Sequence, residues 1–242
     1  RTYPVQEWGG FVLMWHDEEE GQPDFQPTPL PEWDDPKWVN WKVDHLGVLP
    51  CHPQEVIDNI MDKAHLGPIH GSMDMESFES ECKDHVIRQV LAAGHRTLAD
   101  EVMTNDTWYT GPGLLMSKMD GTFNSLMLVA HTPVEDGTTR AWHALMVEPP
   151  NYPMTKEDEA AVPEFQEASK LALLQDFDVW ANKAPCIQIM QVVGDGPFNK
   201  ARLWYKQFYH PRDQIGVHQQ KSNGKWITKG TSRDPWPKKA AE

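Results

Sequence analysis

Cysteine is scarce: Cys51, Cys82 and Cys186 are the only three in 242 residues. Three thiols cannot all pair within one chain, which points to a reducing, cytoplasmic setting and away from a disulfide scaffold. Basic side chains are also few, 22 Lys and Arg against 36 Asp and Glu, for a formal net charge of −14. A surface of that sign repels phosphates and argues against a nucleic-acid partner. No apolar run approaches the ~20 residues of a membrane span. The opening RTYPVQEWGG is no signal peptide, and the lack of an initiator Met suggests part of a longer chain. Repeats are lacking, as is any flexible linker between residues 40 and 210, so one domain is expected.

What is abundant is Trp, Met and His, 11 of each. Trp supplies flat apolar area and Met adapts its shape, so the pair suits either a filled core or a roomy apolar wall. Met116, Met119, Met127, Met146, Trp108 and Trp142 fall on predicted strands, where they would serve as either. His131 and His143 lie on the same strands.

Residues 1–15 read as a short strand pair turning at Gly9-Gly10. Residues 16–38 carry Pro23, Pro27, Pro29, Pro31 and Pro36 among acids, which forbids a helix or central strand and predicts an extended surface connector. From Pro53 to His65, Ile57, Ile60, Met61 and Ala64 recur at helical spacing. Strand-like runs follow at 85–91, 98–103, 114–119, 123–134 and 138–148, joined by short turns, the pattern of an antiparallel meander. Residues 156–183 read as a long helix with Phe165, Ala168, Leu171, Leu174 and Val179 near helical spacing. A second helix is expected over 198–209, and a polar surface tail over 211–242. The fold class is therefore α+β, a curved antiparallel sheet around a long C-terminal helix.

The chemistry concentrates in Asp58-Asn59-Ile60-Met61-Asp62-Lys63-Ala64-His65-Leu66-Gly67-Pro68-Ile69-His70. Asp58, Asp62 and His65 share one helical stripe, and a carboxylate with two imidazoles is a common metal set. Five residues on an unbroken helix place His70 about 140° from His65, too far round to share an ion. A break at Gly67-Pro68 would return it. The alternative is a surface His70 and a satisfied core His65. A further ligand is expected from Gln175-Asp176-Phe177-Asp178, because Asp is a poor helix former and needs a reason to sit there. Two histidines and one carboxylate favour Fe(II) with open positions for O₂.

Asn59-x-x-Asp62-x-x-His65-x-x-x-x-His70, with Gln175-Asp176 later, resembles the catalytic domain of Rieske-type non-haem iron oxygenases. The nearest likeness is to the oxygenase component of 3-ketosteroid 9α-hydroxylase and the cholesterol 7-desaturase group. Tyr3–Trp15, Gln175–Trp180 and Arg202–Tyr209 match further signatures of that group. The resemblance implies a helix-grip (START-like) domain in which His65, His70 and Asp176 bind a mononuclear Fe(2+). Asp176 is preferred over Asp178 because it directly follows Gln175. Asp62 would be the acid bridging electron transfer, and Asn59 would support the site. It further implies O₂ as co-substrate, a steroid-like apolar substrate, a ferredoxin-type reductase as donor and a homotrimer.

The resemblance implies a Rieske [2Fe-2S] cluster, held by Cys-x-His and Cys-x-x-His on a domain upstream of residue 1. Cys82-x-x-His85 has one half of that spacing within this chain, but Cys51-His52 lacks the other. The competing functions are an oxygenase of another class (sterol desaturase, aromatic O-demethylase or ring hydroxylase) and a metal-free lipid carrier of the same architecture.

Overall fold

The computed structural model describes residues 2–95, 98–186, 188–191 and 194–229. Strands β1 (Val5–Trp8) and β2 (Phe11–Met14) form a hairpin with Trp8 opposite Phe11. Its two-residue turn, Gly9-Gly10, has φ of 53° and 81°, and a tight turn of that hand demands positive φ at both positions. A Cβ on Gly9 would also lie 2.8 Å from the Trp41 ring. Residues 16–38 hold no strand and no α-helix, only a 3₁₀ turn at Pro31–Trp33.

Next come β3 (Asp44–Leu49) and α1 (Pro53–Asp58), the latter running into a 3₁₀ turn at Asn59–Met61. The meander follows: β4 (Ser72–Lys83), β5 (Val86–His95), β6 (Leu98–Thr110), β7 (Leu114–Asp120), β8 (Asn124–Pro133) and β9 (Thr139–Glu148). It closes with α2 (Lys156–Ala181), α3 (Phe198–Lys206), α4 (Ile215–Ser222) and β10 (Gly224–Ile227). All eight strands from β3 onward form one antiparallel sheet in the order β10-β4-β5-β6-β7-β8-β9-β3. The α+β class with a long helix on an antiparallel sheet is thus observed. No helix is long and apolar enough to cross a membrane among the described residues.

Side chains alternate between the two faces of each strand. On β8, Val129 meets Leu173, Phe177 and Trp180 of α2, whereas Leu126, Leu128 and Ala130 meet Trp8 and Trp41. This alternation divides the six residues considered for a single apolar wall. Met116, Met146, Trp108 and Trp142 pack under the N-terminal segment, and Met119 and Met127 lie on the helix side. They do not line one pocket.

Three sequence expectations are corrected. Helix α1 does not reach His65: Asp62, with φ −86° and ψ 99°, is already extended. Helix α2 spans its expected length, capped by Thr155 and Asp158, but its inward stripe is Val162, Leu173, Asp176, Phe177 and Trp180. Of the apolar residues read at helical spacing, Phe165 and Leu174 pack on the core, whereas Leu171 is 53% exposed and Val179 43%. The expected surface tail instead folds: α4 buries His218 and Ser222, and β10 pairs with β4, Trp226 opposite Ser80. Residues 230–242 of that expected tail lie outside the described residues. The 16–38 connector also does more than face solvent. Arg212 forms ion pairs with Asp17 and Asp24, and Thr28 takes indole N–H bonds from Trp8 and Trp108.

Candidate metal centre

Asp62 ends one helical segment and starts another. Its Oδ1 accepts from the Ala64 and His65 amides, at 2.9 and 3.3 Å, as an N-cap does. A single helical turn follows, in which Ile69 N–H donates to His65 O (2.9 Å) and His70 N–H to Leu66 O (3.2 Å). Pro68 fits there because the first turn needs no amide proton from it. Gly71, at φ 77°, closes the turn as an αL cap, its N–H donating to Gly67 O, and the Ser72 N–H donates to Leu66 O. The break is therefore at Asp62, and Gly67-Pro68 lies inside the turn that carries both histidines.

This turn sets the His65 and His70 rings edge to face, centroids 5.2 Å apart. Asp176 arrives from α2, buried, with Oδ2 3.2 Å from His70 Nε2. One donor atom each from His65, His70 and Asp176 lie within 4.8 Å of one another. Among the described residues this is the one group of three or more His, Cys, Asp or Glu so arranged. Asp178, two residues on, is exposed and points elsewhere.

A metal fits this set on two observations. The Nδ1 of His65 is buried without a hydrogen-bond partner, which costs stability unless something fills the vacancy. The 3.2 Å between His70 and Asp176 is also the spacing of two adjacent donors on an ion at about 2.2 Å. Asp62 Oδ2 stands 3.6 Å from His65 Nδ1. Burial pushes the Asp62 carboxyl up, but the His65 ring and the Ala64 and His65 amides outweigh it and hold the group below its usual range.

A cavity of about 80 Å³ adjoins the donors, lined by Glu55, Asp58, Asn59, Asp62, His65 and Asp176 among others. Asn59 reaches it from the 3₁₀ turn, where its backbone carbonyl accepts from the Asp62 amide at 3.1 Å. Two supports lay beyond the sequence reading. Arg202 of α3 grips Asp58 through Nε (3.1 Å) and Nη2 (2.5 Å), while Lys183 holds Glu55 at 2.6 Å. Burial raises the Asp58 carboxyl against the pull of Arg202. His95 on β5 donates from Nε2 to His70 O at 2.7 Å, fixing the loop from outside. No local motif links either support to the centre; only the tertiary fold does. Gly196 lets the segment before α3 approach, since a Cβ there would sit 2.0 Å from Met61 O.

The remaining candidates go elsewhere. Cys82 is buried in the α3 cluster, its thiol pushed up to about 12 by burial, and the ring of His85 meets Gln219 at 3.3 Å. Cys51 is buried and unpaired. His131 contacts the Tyr109 hydroxyl, and His143 lies between Asp44 and Ser169.

Known proteins resemble the chain in sequence and in fold. A probable 3-ketosteroid-9-alpha-monooxygenase oxygenase component of Rhodococcus rhodochrous is 28% identical over 227 residues, covering 86% of this chain and 57% of that protein. The 3-ketosteroid-9-alpha-monooxygenase oxygenase component of Mycolicibacterium smegmatis is 27% identical over 225 residues, covering 86% and 58%. The chain thus spans somewhat over half the length of these relatives. Among solved structures, the Pseudomonas putida CBB5 NdmA QL mutant with caffeine superposes with a TM-score of 0.60 at 12% identity, over 96% of this chain and 68% of that one, a likeness of fold. The model of the 3-ketosteroid 9alpha-hydroxylase C-terminal domain matches residues 14–209, and the chain belongs to that family.

Proposed function

We propose that this chain is the catalytic part of a Rieske-type oxygenase that hydroxylates an apolar, steroid-like small molecule. The observation that carries the reading is the convergence of His65, His70 and Asp176, residues from two distant segments, within 4.8 Å. In this reading the three side chains would hold a mononuclear Fe(II), for which two imidazoles and a carboxylate are a suitable donor set. When bound, that ion supplies O₂ activation beside an unactivated C–H bond. The protein does the rest. Asp176 contributes the single negative charge of the set, and the buried position excludes bulk water. Asp62, its carboxylate beside the His65 ring and bonded to the Ala64 and His65 amides, would stand on the route of electrons arriving from outside, and Asn59 borders the same cavity.

Electrons would come from a separate ferredoxin-type reductase through a [2Fe-2S] cluster on a segment upstream of residue 1. A cluster supplied by the next subunit of a closed head-to-tail ring makes a homotrimer the assembly expected of the longer protein. The three unpaired thiols suit a cytoplasmic setting. A metal-free lipid carrier has no use for two imidazoles and a carboxylate at one point, which disfavours the second reading.

The test is iron stoichiometry after anaerobic loading with Fe(II). Wild type should hold about one iron per chain and Asp176→Ala essentially none. Asp62→Asn should keep its iron while substrate-dependent O₂ uptake of the longer protein with its reductase is lost. Wild type without tight iron, or an iron-loaded protein with no O₂ uptake on a panel of steroids, would overturn the reading.

A further inference from the structure

One buried titratable group has no part in the metal centre. His143 on β9 is only 1% exposed. Its strand neighbours are Asp44 on β3 and Val129 on β8, so all three side chains point to the same face of the sheet. Val129 identifies that face, because it packs on Leu173, Phe177 and Trp180 of α2. His143 Nδ1 lies 3.0 Å from Asp44 Oδ2, and Nε2 lies 3.0 Å from Ser169 Oγ on α2. The three side chains form a row from the sheet edge into the space between sheet and helix.

The direction of the row follows from donor chemistry. A carboxylate only accepts, so the imidazole proton sits on Nδ1 and is donated to Asp44. Nε2 then accepts the Ser169 hydroxyl proton. Burial, which outweighs the opposing pull of Asp44, favours this neutral ring. With its one proton committed, Ser169 keeps only lone pairs for any further partner. The same residue types build hydrolytic triads, but Ser169 lies in mid-helix, where the backbone N–H groups around it are engaged and none is left to stabilise an oxyanion.

Ser169 and Asp176 are seven residues apart on α2, so they share one face, about 10 Å apart along the axis. Between them the helix and sheet pack an apolar cluster, with Leu173 and Phe177 from the helix, Val129 from the sheet and Met127 against it. Met127 sulfur is 3.8 Å from Ser169 Oγ. An unbranched thioether is the side chain most able to yield space to a ligand.

We propose that Asp44, His143 and Ser169 are a polarised anchor for the far end of the substrate, with Ser169 Oγ accepting a hydrogen bond from a substrate hydroxyl. The site then selects an alcohol over the corresponding ketone or hydrocarbon at that end. Ser169 is the specificity-determining residue, and His143 and Asp44 position it. The inference rests on the apolar-substrate reading above and adds the chemistry of one end of the ligand.

The experiment is equilibrium dialysis of the Fe(II)-loaded chain under argon. The probes are radiolabelled four-ring steroids carrying hydroxyl, ketone or no oxygen at either end of the skeleton. Wild type should bind one alcohol on the order of tenfold more tightly than its ketone and its hydrocarbon, the worth of one buried hydrogen bond. Ser169→Ala should bind all three alike, and Ser169→Thr, which keeps the hydroxyl, should restore the preference. A purely structural Ser169 would change all three affinities together. Equal affinities in wild type, or an alcohol preference that survives in Ser169→Ala, overturns this inference and leaves the iron reading intact. If wild type binds none of the probes, the steroid-like substrate class falls and this inference falls with it.

Discussion

Under residues 8–43, the sheet meets Trp8, Trp33 and Trp41, and the indole N–H groups of Trp8, Trp41 and Trp108 each have an acceptor. Trp8 donates to Thr28 O at 2.8 Å, Trp41 to Gly9 O at 2.7 Å and Trp108 to Thr28 Oγ1 at 2.9 Å. Through the same strands, the opposite face meets α1, α2 and α3. There His65 Nδ1, His131 Nδ1 and Trp204 Nε1 are buried without hydrogen-bond partners. One layer of backbone thus supports a face satisfied within itself and a face left partly unsatisfied. Unsatisfied buried polar groups destabilise, and they collect where a site needs open valences. The comparison assigns stability to the indole face and chemistry to the helix face.

That assignment breaks if the two faces cannot be damaged separately. The largest effect should come from His70→Ala, which removes one of three metal donors. Iron affinity should fall on the order of 100-fold or more, read by metal analysis after dialysis, with little change in the thermal midpoint without metal. Trp41→Ala is the mirror experiment. Trp41 is buried against Trp8, Trp33 and Phe11, and its removal should cost about 3–5 kcal/mol in urea unfolding. The folded fraction should still bind one iron. A Trp41→Ala protein that is folded yet loses iron would show that the faces are coupled.

How much of this was legible in the sequence depends on the signal each part leaves. The β1–β2 turn announces itself through Gly9-Gly10, and five strands of the meander through clean apolar runs. Strand β4 does not: SMDMESFESECK is mostly polar, and its inward positions use Ser80 and Cys82 beside Phe78. Strand β10 has four residues and is held by pairing to β4, which no local pattern reveals. His65, His70 and Asp176, named together through the resemblance, do converge within 4.8 Å, but the backbone route that brings them together was not legible. Gly67-Pro68 looks like a helix break, whereas Asp62 ends the helix by offering its carboxylate to the next two amides. Residue type read only part of the inward face of α2, Phe165 and Leu174 among it. Leu171 and Val179 are apolar yet exposed, and Asp176 is charged yet buried, because the site takes an inward position from the core.

The smallest effect sharpens the comparison through pH. On the helix face, burial pushes His131 down to about 4, with the Tyr109 hydroxyl at 3.1 Å as its one partner. An unfolded histidine titrates near 6.5, so the unfolded chain takes up this proton first as pH falls. The contribution of the neutral ring is complete above pH 6.5 and is lost progressively down to pH 4. It amounts to about 2 kcal/mol by pH 5 and about 3 kcal/mol near pH 4. Burial pushes His143 in the same direction, and Asp58, whose carboxyl burial raises, acts in the opposite sense. The raw acid profile therefore mixes several groups, and the difference between wild type and His131→Gln isolates one. Glutamine can still meet the Tyr109 hydroxyl but has no proton to gain. The variant's stability relative to wild type should improve by about 2 kcal/mol between pH 7.5 and pH 5 in urea unfolding. The rings that touch Trp41, those of Trp8, Phe11 and Trp33, carry no titratable group, so the cost of Trp41→Ala should be the same at both pH values. A Trp41→Ala penalty that varies with pH as strongly as the His131→Gln difference would show that the two faces share their electrostatics, and the division between them would fail.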